Sequence, residues 1–247
     1  NGGGSLQEAT ELTGLFLEAG PTVLVRNSDG QVDILADEHE GVFYRGPLAV
    51  LVNRLSASAS EIFAGAMQDY HRALVIGGQT FGKGTVQSIQ PLNHGELKLT
   101  LAKFYRVSGQ STQHQGVLPD IYYPAEFDID EIGESSLPEA MPWDSIRPAI
   151  RPFSNPFKPF ISQLQELHEQ RTQAHPDFVY SRNRLELSKQ LMNETLVSLN
   201  EEKRRAQQQR NEQLRLELEN QKRQAKGEEL LTVLDTDTDE NLLAHED

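Results

Sequence analysis

Apolar residues are concentrated in the first half of the chain, where short runs alternate with turn-forming residues. An apolar pattern of helical period predicts a helix over Leu6–Ala19 that begins at a Ser5 cap. Short apolar runs predict strands at Thr22–Arg26 and Val32–Leu35, which the turn between them would join as a hairpin. Val42–Tyr44 is a further strand candidate.

A second group of elements follows in the order strand, helix, strand, which is typical of a βαβ unit. The continuous apolar run Leu48–Val52 predicts a strand buried on both faces, followed by a helix over Glu61–Tyr70 and a second buried strand over Ala73–Ile76. Apolar and polar residues then alternate in Thr85–Ile89 and Glu96–Val107, which predicts an antiparallel extension. We therefore expect an α/β core.

The second half of the chain is polar and charged. A proline-rich stretch predicts an irregular connector, and Phe157–Gln173 and Asp177–Lys226 are predicted to be helical, the second with an apolar stripe of Leu185, Met192, Leu196 and Leu199. The last 21 residues, 227–247, contain eight acidic residues and no Lys or Arg, which is typical of a solvated tail. The expected division is core 1–125, connector 126–156, helical region 157–226 and acidic tail 227–247.

Composition narrows the classes of function. The formal net charge of −14 argues against a nucleic-acid groove, and the absence of cysteine excludes disulfides, thiol catalysis and thiolate metal sites. The seven histidines are scattered with no i, i+4 ligand pair, so we expect no metal site. We also expect no cofactor. No apolar stretch approaches the roughly 20 residues that span a bilayer. The chain begins at Asn1 on a glycine-rich turn, which we interpret as the start of a fragment of a longer protein.

The candidate chemistry lies in a serine at a predicted helix start and a lysine between two glycines. A serine hydroxyl is a weak nucleophile that needs a base, and an uncharged lysine amine can serve as one. Ser58 would lie beside the unpaired N–H groups and positive dipole end of the helix, which favour an oxyanion. Gln87 lies four residues after Lys83 and would share its face on a strand, where it could orient the amine.

Less specific interpretations fit the same residues. Ser58 and Glu61 form a capping box, in which the serine caps the helix and the glutamate reaches back. The stretch Gly77–Gly84 has the G-x-x-x-x-G-K spacing of a nucleotide-binding P-loop, although Gly84 stands where that loop has Ser or Thr. A catalytically inactive scaffold or adaptor is the third interpretation.

Two segments in order, Ser56–Tyr70 and Thr80–Gln87, closely resemble the carboxyl-terminal processing proteases, and the best match is their tail-specific branch. Further motifs of this family match in the same order, at Asn1–Leu6, Phe104–Val107, Ser111–Gln113, Gly116–Asp120 and Pro142–Ile146. The resemblance covers residues 1–150 strongly and continues more weakly into the charged helices.

The resemblance implies roles for individual residues. Ser58 aligns with the nucleophile, Lys83 with the general base and Gln87 with the residue that positions the lysine. Asp69 matches a position linked with activity in this branch, with an ordinary surface acid on the helix as the alternative. The backbone N–H groups of Ala59 and of one glycine in the opening turn, Gly4, would be the oxyanion donors.

The resemblance also implies a fold and a reaction. The fold would be a crotonase-like or Clp-protease-like α/β core, and the reaction acyl transfer to serine followed by hydrolysis of proteins with apolar C-termini. A bacterial periplasmic location, a lipoprotein adaptor and a peripheral association with the membrane are further implications. The family also carries a PDZ module, an N-terminal helical region and a strand before the Asn1–Gly4 turn; without them the fragment need not be active alone.

Overall fold

The structure is a computed structural model that describes residues 2–39, 41–124, 127–149 and 155–234. It divides into two compact units, one formed by residues up to Tyr123 together with Phe127–His168, and one that contains Pro124 and the residues from Glu169 onward. From residue 235 onward the predicted acidic tail lies outside the described residues.

In chain order, the helices and strands of the described residues are α1 (Leu6–Gly14), β1 (Pro21–Asn27), β2 (Val32–Ala36), β3 (Ala49–Val52), α2 (Ala59–Asp69), β4 (Leu74–Gly77), β5 (Thr85–Pro91), β6 (Glu96–Tyr105), β7 (Ile121–Tyr122), a 3₁₀ turn (Glu134–Ser136), α3 (Lys158–Ala174), α4 (Pro176–Met192) and α5 (Glu201–Lys226).

The first unit has a mixed α/β architecture with two sheets. An antiparallel sheet has the strand order β2-β1-β6-β5, and a parallel sheet has the order β3-β4-β7. The predicted hairpin, the βαβ unit and the antiparallel extension are confirmed. The two-residue strand β7 carries no periodic pattern of its own and was not predicted.

Helix α2 connects the two hydrophobic cores of this unit. Ile62 packs in one core cluster with residues of the antiparallel sheet, which include Val25 and Phe104. Two residues further along the helix, Ala64 packs in the other cluster with Val52 and Val75 of the parallel sheet. Because α2 is buried against both sheets, its N-terminal end is held in a fixed position.

Two of the predicted elements in this unit are wrong for one shared reason. Helix α1 ends at Gly14 instead of continuing to Ala19, and Val42–Tyr44 is not a strand. The Leu15 carbonyl accepts hydrogen bonds from the N–H groups of Phe43, at 2.9 Å, and of Tyr44. This long-range pairing ends the helix and occupies donors that a strand would need.

The prediction of a strand buried on both faces is also wrong. Within the part of the chain that the structure describes, β3 pairs with β4 alone, so it forms an edge of the parallel sheet. Its Leu51 side chain is 74% exposed. A strand at the edge of a sheet has a neighbour on one side only. An apolar run in the sequence does not show whether a strand lies at the edge or at the centre of a sheet.

The described part of the connector is irregular, as predicted, and polar contacts tie it to the sheet. Asp144 accepts hydrogen bonds from Arg26 at 2.7 Å, from Tyr105 at 3.1 Å and from the Lys103 ammonium. Lys103 is buried, so this carboxylate provides the charge that a buried ammonium requires. Residues 127–149 therefore belong to the first unit.

In the second unit, the helix predicted over Asp177–Lys226 is two helices, α4 and α5. The chain leaves the helix after Met192 and starts again at Asn200, whose side chain accepts from the Lys203 N–H. Leu196 and Leu199 lie in this break and are almost fully exposed, so the predicted stripe is wrong there. Among the described residues, no helix is long and apolar enough to cross a membrane.

Candidate active site

Ser58 occupies a strained turn between β3 and α2. Its φ of 55° and ψ of −116° match the second residue of a type II′ turn, and the Ser60 N–H donates to the Ala57 carbonyl at 3.1 Å. Glycine usually occupies such a position, and a residue with a Cβ costs about 1–3 kcal/mol there. A strained strand-to-helix turn is how other hydrolases hold a nucleophilic serine out from the backbone. Ser58 itself is half-buried.

The glycine-rich opening turn packs directly on this serine. A Cβ on Gly3 would lie 2.9 Å from the Ser58 Cβ, so only glycine fits. Gly4 has no such contact, but it lines the same cavity as Ala59. Within the described residues neither the Gly4 nor the Ala59 N–H donates a hydrogen bond. Their role as oxyanion donors stays a prediction.

The loop that carries Lys83 requires the glycines on both sides of it. Gly82 has a φ of +93°, and a Cβ there would meet the His114 carbonyl oxygen at 2.7 Å. A Cβ on Gly84 would lie 2.8 Å from the Gln113 nitrogen. The backbone around Lys83 is therefore packed tightly against the segment that contains Gln113 and His114.

Glu61 joins the serine turn to the lysine loop. Its Oε2 accepts from the N–H groups of Ser58 at 2.8 Å and of Lys83 at 3.0 Å. Its Oε1 accepts from the Gly82 N–H at 2.8 Å and from the Thr80 hydroxyl. Because both N–H groups donate to the same oxygen, the distance between the Ser58 and Lys83 backbone nitrogens cannot exceed the sum of these two hydrogen-bond lengths.

The Glu61 carboxylate has no exposed surface. Burial raises its pKa to about 7, and the four donated hydrogen bonds oppose this rise. All four partners are donors, an arrangement that suits an ionised carboxylate. The capping-box prediction gave Glu61 its bond to the Ser58 N–H, and this is confirmed; the link to a loop about 20 residues away has no local signal and was missed.

The structure brings the Ser58 and Lys83 backbones together but does not pair their side chains. Among the described residues, the half-buried Lys83 ammonium makes no hydrogen bond or ion pair, and the Ser58 hydroxyl donates none. The lysine stem is flexible and has four carbons, so the amine can sample positions near the serine while the backbone stays fixed.

Gln87 lies farther along, in β5. Because β5 begins at Thr85, Lys83 precedes the strand, and the argument from a shared strand face does not apply to it. Gln87 is exposed and its Nε2 donates to the Thr100 hydroxyl at 3.3 Å. Its role in positioning the amine stays a prediction.

Asp69 lies at the opposite end of α2, about 16 Å along the helix from Ser58. Its carboxylate pairs with Arg106 and accepts from the Ser108 N–H at 3.2 Å. The Asp69 and Arg106 side chains are only 9% and 11% exposed, so the alternative of an ordinary surface acid is wrong. The geometry instead favours a structural role, in fixing the end of α2 to the turn after β6.

We expect Asp69→Asn to lower the free energy of unfolding by about 3 kcal/mol, because it leaves the Arg106 charge buried without its partner. Turnover per folded molecule should change little, as measured by urea unfolding and active-site titration. Asp29→Asn, in an exposed turn, is the control. Lost turnover with an unchanged unfolding midpoint would instead assign Asp69 a part in the chemistry.

The P-loop interpretation is wrong. The segment after Gly84 is a strand, whereas a P-loop leads into a helix. The N–H groups that would bind phosphate are already used, since those of Gly82 and Lys83 donate to Glu61 and that of Gly84 donates to Gln113.

A cavity of about 380 Å³ opens beside the serine turn. Its walls combine apolar and polar surface and come from the opening turn, α1, β3, the serine turn and the start of α2. The residues that line it are Gly3, Gly4, Ser5, Glu8, Ala9, Leu12, Val50, Leu51, Val52, Ser56, Ala59, Ser60 and Phe63. Ser58 itself is not among the lining residues, but its neighbour Ala59 is, and the cavity is large enough to hold an apolar side chain beside the serine turn.

Comparison with known proteins gives two family matches that together span nearly all of the chain. Residues 1–123 match peptidase family S41, and residues 127–247 match the C-terminal domain of tail specific protease. A tail-specific protease of Haemophilus influenzae is 39% identical over 251 residues, which cover 95% of this chain and 36% of that protein.

Two further relatives match about half of the chain. A carboxy-terminal-processing protease of Bartonella bacilliformis is 45% identical over 49% of this chain and 28% of its own length. Among solved structures, a photosystem II D1 C-terminal processing protease is 38% identical over 49% of this chain and 32% of that chain, with a TM-score of 0.45. The chain thus spans between 28% and 36% of the length of these relatives. From these matches, the chain belongs to peptidase family S41, in its tail-specific, carboxyl-terminal processing branch.

Proposed function

We propose that this chain carries the catalytic core of a serine endopeptidase with Ser58 as nucleophile and Lys83 as general base. One observation carries the proposal: Glu61 holds the strained serine turn and the lysine loop together through a single carboxylate oxygen. Strain of this kind persists only where the surrounding structure enforces it, and it clusters at active sites.

In the proposed reaction, the Ser58 hydroxyl attacks the carbonyl carbon of the scissile peptide while the uncharged Lys83 amine accepts the hydroxyl proton. The N–H groups of Ala59 and Gly4 stabilise the resulting oxyanion. The C–N bond then breaks, and the Lys83 ammonium returns the proton to the leaving amine. Water, deprotonated by the same amine, then attacks the acyl carbon; the bond from that carbon to the Ser58 Oγ breaks, and the Lys83 ammonium returns the proton to the Oγ. Gln87 would orient the amine in the complex with substrate.

The substrates proposed are proteins with apolar C-termini. The apolar side chains in the cavity beside the serine turn, among them Leu12, Val50 and Phe63, support binding of an apolar side chain near the cleaved bond. We extend the proposal to a crotonase-like or Clp-protease-like arrangement of the core, to the four-part division of the chain, and to a periplasmic enzyme that uses a lipoprotein adaptor at the membrane surface. The relatives come from bacteria and from chloroplasts.

The test is cleavage of a protein substrate with an apolar C-terminus by the full-length protein that contains this chain. We expect Ser58→Ala to lower kcat on the order of 10⁴-fold or more, because no other group replaces the nucleophile. Ser60→Ala, two residues away in the same turn, is the matched control and should keep substantial activity. Equal losses in the two variants would contradict the assignment of Ser58.

An inactive scaffold remains the competing function. It would retain binding of the same substrate in wild type, Ser58→Ala and Ser60→Ala, with no cleavage by any of them. Cleavage by wild type and by Ser60→Ala, but not by Ser58→Ala, therefore distinguishes the enzyme from the scaffold.

A further inference from the structure

The lysine loop is also held by the connector, through bonds separate from those of Glu61. The Glu134 N–H donates to the Phe81 carbonyl at 3.0 Å, within the loop that leads to Lys83. The Glu134 side chain accepts from the Gln113 Nε2 at 2.9 Å. Gln113 in turn accepts the Gly84 N–H at 2.8 Å through its Oε1. A continuous series of hydrogen bonds therefore runs from the connector to the residue after Lys83.

The chemistry of this series determines which way the Gln113 amide faces. Gln113 is fully buried and Glu134 is 9% exposed. An ionised carboxylate only accepts hydrogen bonds, so Glu134 attracts the amide nitrogen of Gln113 and leaves the amide oxygen for the Gly84 N–H. If the amide were reversed, its oxygen would face the Glu134 carboxylate and its nitrogen would face the Gly84 N–H. Each buried group left unpaired in this way would cost about 1–3 kcal/mol.

A second contact ties the same part of the connector to the loop. Arg54 is 3% exposed and donates to the Thr80 carbonyl, at the start of the lysine loop. The same guanidinium donates to the carbonyls of Ile129, at 3.0 Å, and of Ile132. The connector is therefore fixed to both ends of the loop, through Arg54 at Thr80 and through Gln113 at Gly84.

We propose that Glu134 is a positioning residue for the general base, acting on Lys83 through Gln113 and Gly84. This inference rests on the proposed function. It also assigns part of the active-site framework to the C-terminal region: Glu134 lies in the segment that matches the tail-specific protease C-terminal domain, whereas Ser58 and Lys83 lie in the segment that matches peptidase family S41.

The first test replaces Glu134 in the full-length protein. Glu134→Ala removes the acceptor, so we expect kcat to fall about tenfold to a hundredfold, as misplacement of a catalytic group by about 1 Å does, with KM within about twofold. Glu134→Gln keeps an acceptor oxygen and should recover most of the lost kcat. Glu131→Ala, exposed in the same segment, is the control.

The second test is a double-mutant cycle, which isolates the coupling between the two side chains. Gln113→Glu alone places two buried carboxyl groups face to face and should lower kcat at least as much as Glu134→Ala. Adding Glu134→Gln restores one donor and one acceptor across the pair, with the Gly84 N–H still bonded to the new carboxylate. The double variant should therefore exceed Gln113→Glu by about tenfold in kcat.

Two results would overturn the proposal. One is a Glu134→Ala enzyme whose kcat per titrated active site equals that of wild type, which would leave Glu134 a role in stability only. The other is a double-mutant cycle in which the losses of kcat in Gln113→Glu and Glu134→Gln simply add in the double variant. The cycle decides the question if Glu134→Ala does not fold. Loss of activity in Lys83→Ala together with either result rejects this inference alone, whereas full activity in Lys83→Ala rejects the proposed function.

Discussion

Lys83→Ala should lower kcat on the order of 10⁴-fold or more, because without the amine no group in the turn can take the proton from Ser58. Folding should be almost unaffected. Among the described residues the Lys83 ammonium makes no hydrogen bond or ion pair, so its removal should change the free energy of unfolding by less than about 1 kcal/mol. The measurement is single-turnover cleavage together with urea unfolding.

Lys98→Ala is the control for this variant, because Lys98 is exposed on β6 away from the glycine loop. It should keep wild-type kcat. If Lys83→Ala cleaved substrate at a rate near that of wild type, another base would have to be found. If the Lys83→Ala variant lost activity only because it unfolded, the Lys83 ammonium would have a structural role, which would contradict the prediction for folding.

Glu61→Gln should damage both stability and activity. An amide in place of the carboxylate turns one oxygen into a donor, which then faces either the N–H groups of Ser58 and Lys83 or the donors at Gly82 and Thr80. We expect a loss of about 2–4 kcal/mol in the free energy of unfolding, since buried donors are left unpaired. The folded fraction should also show a kcat lower by about a hundredfold, since the lysine loop is no longer held in register.

The pH dependence of that stability loss has a defined sign. Burial raises the pKa of Glu61 from an ordinary 4.5 to about 7, so the folded chain keeps a proton that the unfolded chain releases. The stabilisation is therefore complete below about pH 4.5 and declines as the pH rises to about 7. Glutamine does not titrate, so wild type should exceed Glu61→Gln by more at about pH 5 than at about pH 8.

Urea unfolding of both proteins at the two pH values measures this difference, with Glu96→Gln on the exposed part of β6 as the control. The control should differ from wild type by the same small amount at both pH values. A stability difference between wild type and Glu61→Gln that grows with pH would contradict the raised pKa.

What the sequence predicts well is local. The helix start at Ser58, the capping-box bond from its N–H to Glu61, the hairpin of β1 and β2 and the alternation in β5 and β6 all depend on residues close together in the chain. The family is identified from the specific motifs, because hydrophobic periodicity, turn signals and charge do not indicate it.

What the sequence does not predict depends on distant partners. Helix α1 ends early because Phe43 donates to the Leu15 carbonyl. The end of α4 at Met192 was missed for another reason, since the apolar stripe predicted through Leu199 indicated a continuous helix. The contacts of Glu61 and Glu134 with the lysine loop join residues that are far apart in sequence. A glutamate in a capping box and another in a proline-rich connector have no local feature that distinguishes them from solvated acids.

The most direct test of the central claim is to label the full-length protein with a fluorophosphonate and map the adduct by mass spectrometry. We expect one adduct on Ser58 in wild type, none in Ser58→Ala, and a rate of labelling in Lys83→Ala lower by on the order of 10³-fold or more, since the hydroxyl then lacks its base. An adduct on Ser60, or labelling of Ser58 at the same rate without the lysine, would contradict it.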